Sequence, residues 1–290
     1  MKVGKTSTHP RRRRTSIVCA VLTLLVTAGL GVYFAVTQVQ ITNQQQKVDA
    51  LTRSADARIT EIEAIKKQPV YITLPGADEI QVPVDDFEAA SSIWTLVNKG
   101  RGLPIDYIPT DLVLAEQPTR ANATADEKRL RAVTSEALKK LFAAASADGH
   151  SLMIGSAYRS AITQDLLFNR YVATSGYDQA DRYSAHPGFS EHQTGLAVDI
   201  STTSQQCYLS ECFINSADGS WLAENAYKYG FNLRYAKGKE TITGYNFEPW
   251  HYRYVGVPLA TALYQSGLTL DEAWPYMETA LETLRQNRAI

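Results

Sequence analysis

Twenty-two consecutive residues, Thr15 to Val36, carry no charge and consist largely of Val, Leu, Ala, Ile and Gly. As a helix, at about 1.5 Å per residue, the run reaches ~33 Å, enough to cross a bilayer core. Arg11 to Arg14 stand directly before it. By the positive-inside rule they leave the N-terminus in the cytoplasm and the rest of the chain outside. A cleaved signal peptide is the competing reading. The run is long for one, and Val36-Thr37-Gln38-Val39 lacks a small-x-small cleavage site. An uncleaved single-pass anchor over 15–36, behind a basic tail over 1–14, is therefore favoured.

The near-neutral total charge conceals an asymmetry. Residues 1–14 hold Lys2, Lys5 and the four arginines and no acid, so 23 basic residues face 30 acidic ones in the remainder. A nucleic-acid binder is disfavoured on that balance.

Behind the anchor, Ile41, Val48, Leu51, Ala55, Ile62 and Ile65 recur at near-heptad spacing among polar residues. This predicts a helical stalk over 37–69, ended at Gln68-Pro69. Arg58 interrupts one apolar position, so the stalk is read as weakly self-associating, with a solitary amphipathic helix as the alternative. Residues 70–290 then form the globular part.

Within it, Asn122 to Ser146 reads as a helix with an apolar face from Leu130 to Ala145. Leu152 to Ala157 reads as a buried strand, and Ser160 as the cap of a helix stopped near Gly176. Further strands are expected at Leu196–Ile200, Phe231–Tyr235 and Trp250–Val255. Helices are expected over Trp221–Tyr229 and from Pro258 onward. Helices around a few short strands predict an α+β class with a small antiparallel sheet.

The chemistry concentrates in Ser190-Glu191-His192-Gln193-Thr194-Gly195-Leu196-Ala197-Val198-Asp199 and, fifty residues on, Glu248-Pro249-Trp250-His251. A continuous strand would put His192 and Asp199 on opposite faces. Gly195 and the β-branched residues around Asp199 argue against a helix. A turn at Gln193-Thr194-Gly195 followed by a strand lets both side chains reach one point. Two histidines and a carboxylate suit a zinc ion, leaving a second carboxylate for the proton. His192, Asp199 and His251 are assigned to the metal. Glu248, longer and at a loop edge, is assigned as general base. The exchanged assignment, Asp199 as base and Glu248 as ligand, is barely separated from this one by sequence.

The spacing Ser-x-His-x-x-Gly-x-x-x-Asp with a later Glu-x-Trp-His resembles zinc D-alanyl-D-alanine carboxypeptidases and dipeptidases of the VanY type, relatives of the hedgehog-like metallopeptidase fold. The likeness runs from about Leu96 to Gly256. It includes Ser156-Ala157-Tyr158-Arg159-Ser160, His186-Pro187-Gly188-Phe189-Ser190 and Gly230-Phe231-Asn232-Leu233-Arg234-Tyr235. The resemblance implies the same zinc ligands and the same base. It further implies that Arg159 holds the substrate near the scissile carbonyl, and that Ser190 and Gln164 line the pocket.

The function implied is removal of the C-terminal D-alanine from peptidoglycan stem peptides by one Zn2+ per chain, outside the membrane. An L,D-carboxypeptidase acting on tetrapeptide stems is the alternative. A wall endopeptidase and a non-catalytic wall-binding protein stand behind it. Cys207 and Cys212 are read either as a small disulfide loop or as two free thiols. His150 is expected as an exposed cap and His186 in a loop role. Trp250, Tyr252 and Tyr254 are expected as core and cleft wall. Glu278, Glu282, Arg285 and Arg288 are expected on a solvated helix face.

Overall fold

The uncharged run continues without a break into the polar stretch behind it, because nothing from Arg11 to Lys66 stops a helix. In the computed structural model, α1 (Arg11–Lys66) is a single helix, and within Ile17–Ala64 it is long and apolar enough to cross a membrane. The structure describes residues 11–66, 69–82 and 87–289. The basic tail as far as residue 10, and Gln68 at the expected stalk end, lie outside the described residues. The chain divides into two units, 1–67 and 68–290.

Among the described residues, the second unit contains three antiparallel sheets. A two-stranded ribbon joins β1 (Tyr71–Ile72) to β2 (Ile80–Gln81). A second pairs β3 (Leu112–Leu114) with β4 (Arg129–Arg131). Helix α2 (Ala132–Ala147) follows β4 and buries Thr134, Leu138, Leu141 and Ala145, the spacing of one helical face. The third sheet has four strands. Its members are β5 (Leu152–Ser156), β6 (Ala197–Thr202), β7 (Phe231–Leu233) and β8 (His251–Tyr254), in the order β5-β6-β8-β7.

Between β5 and β6 run α3 (Ala161–Ser175) and α4 (Tyr177–Tyr183). Ser160 caps α3 by accepting from the Thr163 amide, and Gly176 ends it. Beyond β6 come α5 (Ala217–Asn225) and, after β7, the short α6 (Glu240–Thr243). The unit closes with α7 (Val257–Ser266) and α8 (Leu270–Ala289). One apolar cluster packs β1, β2 and residues around Trp94 against α7 and α8. The other packs α2 and α5 on the four-stranded sheet. The expected α+β class with a small antiparallel sheet is the observed one.

Three expectations need correction. The helix expected over 122–146 begins only at Ala132, because the chain before it is taken by strand pairing and loop contacts. There the Tyr158 amide donates to the Arg129 carbonyl and the Arg131 amide to the Gly195 carbonyl, at 2.9 and 3.0 Å. His150 is not an exposed cap: its Nδ1 lies 2.9 Å from Asp218 Oδ1 and its ring packs on Trp221. The α8 face is not simply solvated, since Glu278 accepts from Arg101 Nη2 at 2.6 Å and from Trp274 Nε1 at 3.1 Å. Cys207 and Cys212 form a disulfide, which resolves the two readings of that pair.

Candidate active site

Strand pairing brings the distant halves of the motif together. Asp199 on β6 is the direct cross-strand partner of His251 on β8, so their side chains leave the sheet on one face. His192 arrives from a 3-10 turn over Glu191–Thr194, which Gly195 ends in the left-handed region at φ 67°. A side chain at Gly195 would meet Leu112 Cδ2 at 2.8 Å as well as requiring that φ.

The three ligating atoms of His192, Asp199 and His251 lie within 4.8 Å of one another, and all three residues are buried. His192 Nε2 is 3.4 Å from Asp199 Oδ2, and His251 Nδ1 is 3.2 Å from Asp199 Oδ1. The rings stand nearly perpendicular, with centroids 5.0 Å apart.

Hydrogen bonds on the far side of each ring choose which nitrogen faces inward. His192 Nδ1 donates to the Ala157 carbonyl at 2.6 Å, leaving Nε2 with its lone pair. His251 Nε2 faces Glu191 Oε2 at 3.4 Å, leaving Nδ1 toward Asp199. Carbonyl and carboxylate oxygens only accept, so the protons are assigned to those outer nitrogens.

Glu191 is the functional residue that sequence reading passed over. Its side chain is fully buried and accepts from Arg234 Nε at 2.8 Å and Arg253 Nη1 at 3.0 Å. Arg234 also pairs with Asp271 at the start of α8, and Arg253 Nη2 donates to the Thr95 carbonyl at 2.8 Å. Burial opposes its charge, but the two guanidiniums win and hold the carboxyl well below the ordinary range. The signal available in the sequence was a lone arginine in each of two strand segments rich in large apolar residues, Phe231–Tyr235 and Trp250–Val255.

Asp199 is likewise held low: burial pushes its carboxyl up, but His192 and His251 outweigh it. Glu248 behaves oppositely. Burial, reinforced by the charge of Asp199, pushes its carboxyl up to about 8, against the opposing pull of His251 and Arg159. A cation in the triad would draw that value down again. Glu248 Oε2 lies 3.8 Å from His251 Nδ1. Two neighbouring carboxylates thus have separated proton affinities, which suits one for ligation and the other for proton transfer.

These groups open on a cavity of ≈ 310 Å³ whose wall includes Arg159, Ser190, His192, Asp199, Glu248, Trp250 and His251. Arg159 donates from Nη1 to Gln164 Oε1 at 2.7 Å and from Nη2 to Ser156 Oγ at 3.2 Å. Among the described residues no carboxylate pairs with it, so its charge faces the cavity without a counter-ion. Gln164 does not line the cavity. It is buried behind Arg159, and its Nε2 donates to Ser184 Oγ at 3.1 Å and to the Ala185 carbonyl at 2.6 Å. Tyr252 packs in the core, and His186 stacks on Phe168 away from the cavity wall.

The triad fits a zinc ion on its own geometry. Asp199 Oδ1 is a buried oxygen with no hydrogen-bond partner, and two imidazole lone pairs converge beside it. Two nitrogens and a carboxylate are also the donor types that zinc takes.

Residues 127–257 match VanY, D-alanyl-D-alanine carboxypeptidase. YodJ of Bacillus subtilis (strain 168), named a carboxypeptidase by inference, is 43% identical over 197 residues, 68% of this chain and 70% of YodJ. VanXYC of Enterococcus gallinarum, a bifunctional D-Ala-D-Ala dipeptidase and D-Ala-D-Ala carboxypeptidase, is 31% identical over 66% of this chain and 96% of its own. Among solved structures, the LdcB LD-carboxypeptidase superposes with a TM-score of 0.61 at 43% identity, covering 65% of this chain and 87% of its own. A Zn(II) complex of the vancomycin resistance D,D-pentapeptidase VanY superposes with a TM-score of 0.51 at 34% identity, covering 65% and 99%. A family match centred on the triad, and a zinc-bound relative of the same fold, lead to one conclusion: the chain belongs to the VanY D-alanyl-D-alanine carboxypeptidase family and is a zinc carboxypeptidase.

Proposed function

We propose that this chain is a membrane-anchored carboxypeptidase that removes the C-terminal D-alanine from peptidoglycan stem peptides. In this reading α1 holds it in the membrane, with the N-terminus cytoplasmic and residues 70–290 outside. The observation that carries the reading is one cavity wall joining the His192, Asp199 and His251 triad, the Glu248 carboxyl beside it and Arg159, which has no carboxylate partner among the described residues.

His192, Asp199 and His251 would hold the zinc ion, which when bound would supply Lewis-acid polarisation of a carbonyl and acidify water. Glu248 takes the proton of the attacking water and delivers it to the amine nitrogen that leaves. Arg159 binds an anionic oxygen of the substrate, at the terminal carboxylate or where charge develops on the carbonyl. Gln164 keeps the Arg159 guanidinium aimed into the cavity.

The preferred bond is the D,D bond of a pentapeptide stem, in keeping with the family. An L,D reading, cleavage after the diamino acid of a tetrapeptide, is favoured by the likeness to the LdcB LD-carboxypeptidase. Full chain in detergent, incubated with defined penta- and tetrapeptide muropeptides and analysed by mass, separates the two by which substrate loses the mass of an alanine residue. Cleavage of neither would defeat the enzyme reading. Since the mechanism uses no serine nucleophile, β-lactams should leave the rate unchanged.

A further inference from the structure

The loop that leaves β6 is built unlike the rest of the cavity rim. Gln205, Cys207 and Leu209 hold φ of 58°, 58° and 44°, although none is glycine. L side chains resist that conformation, and it persists only where the surroundings enforce it.

Two devices enforce it here. The Cys207–Cys212 disulfide closes the loop. Tyr208 docks it on β5, where its hydroxyl donates to the Gly155 carbonyl at 3.2 Å. Gly155 is the extra residue at a break in the β5–β6 register, beside the Ser156–Asp199 pair. A side chain at Gly155 would press on the Tyr208 ring at 3.3 Å, so the glycine makes room for the dock. Leu209, emerging from this clamp, forms part of the cavity wall together with Leu167 and Trp250. The strain and the covalent closure therefore serve to present one aliphatic side chain to the cavity that holds the triad.

We propose that the Cys207–Cys212 loop is a specificity device, holding Leu209 as an apolar wall against the side chain of the substrate residue on the amino side of the scissile bond. The inference rests on the carboxypeptidase reading above. A small aliphatic side chain gains contact with that wall. A charged one loses its water against that wall, where Leu209 offers it no hydrogen bond in return. The disulfide and Tyr208 act through Leu209 and are positioning elements, since neither residue of the bridge is part of the cavity wall.

The test uses full chain in detergent and two peptides that differ only in that residue, alanine or aspartate. Wild type should prefer the alanine peptide. Leu209→Ala should raise KM for it roughly 5–10-fold, by the loss of buried methylene contacts, with kcat within about twofold and zinc content unchanged. The double variant Cys207→Ser, Cys212→Ser should raise KM by a similar factor. Adding Leu209→Ala to it should raise KM no further, the non-additivity of groups that act as one unit. Leu209 is only half-buried, so its variant decides the matter even if the cysteine-free chain does not fold. A KM for Leu209→Ala within twofold of wild type, or fully additive effects in the triple variant, overturns the proposal while the carboxypeptidase reading stands. A wild type that cleaves neither peptide overturns that reading and the proposal with it.

Discussion

Two buried polar clusters meet at His251 and are finished to different degrees. On one side, Glu191, Arg234, Arg253 and Asp271 match two negative charges with two positive ones at hydrogen-bond distance. On the other, Asp199 and Glu248 have only the ring nitrogens of His192 and His251 beside them, at 3.2 to 3.8 Å, and among the described residues no arginine or lysine pairs with either. A completed cluster of this kind fixes geometry, because each group already has what burial took from it. An incomplete one is left for a ligand to complete. The first cluster orients a histidine, and the second uses it.

Removing a ligand should therefore have the largest effect. His192→Ala or His251→Ala should lose the single zinc per chain and with it measurable turnover. Metal analysis of the purified full chain checks this. Bound zinc in His251→Ala would break the comparison at the residue the two clusters share.

Next in size, Glu248→Gln should keep the metal and lose turnover on the order of 10²-fold or more, as expected for a general base. A near-normal rate would return the proton-transfer role to some other group.

Glu191→Gln should act on both clusters at once. It leaves the buried Arg234 and Arg253 short of a carboxylate, a loss of about 3–5 kcal/mol for a broken buried pair. It should also weaken zinc binding 10–100-fold, as for other partners of ligating histidines. Denaturant unfolding of the metal-free chain and zinc titration separate the two effects. Unchanged zinc affinity would make the finished cluster purely structural.

The smallest effect is in pH dependence. Without metal, His251 is raised to about 9 from 6.5 and Glu248 to about 8 from 4.5. Burial lowers the His251 value, but Asp199 and Glu191 beside it raise it further. Both groups bind a proton more tightly folded than unfolded. The stability they contribute is complete below the unfolded values and is lost as pH rises through about 8 and 9. The metal-free chain should become easier to unfold from pH 6.5 to 9. The stabilisation given by zinc should grow over the same range, because the ion displaces protons. Parallel slopes with and without zinc would contradict the assignment.

The unfinished cluster was legible in the sequence because its members carry their chemistry locally. The His192-to-Asp199 spacing demanded a turn, and Gly195 was there to make it. The finished cluster was not, since Glu191 meets partners 43 and 62 residues away, a separation at which no periodicity operates. The same limit explains the helix misread before Ala132. Leu130 fits a helical stripe, but β4 pairs with β3, and residues near 158 and 195 take its free backbone groups. Gln164 was placed in the right neighbourhood with the wrong neighbour: it braces Arg159 instead of touching the cavity. Helix α3, by contrast, needed only its Ser160 cap and Gly176 stop, both within reach of local rules.

The rung that pairs Asp199 with His251 has a consequence for assembly. A slip of one residue between β6 and β8 would send the two side chains to opposite faces of the sheet. Zinc could then engage at most one of them. The ion thus works as a proofreader of the sheet's central seam, rewarding only the chain that has closed in the correct frame.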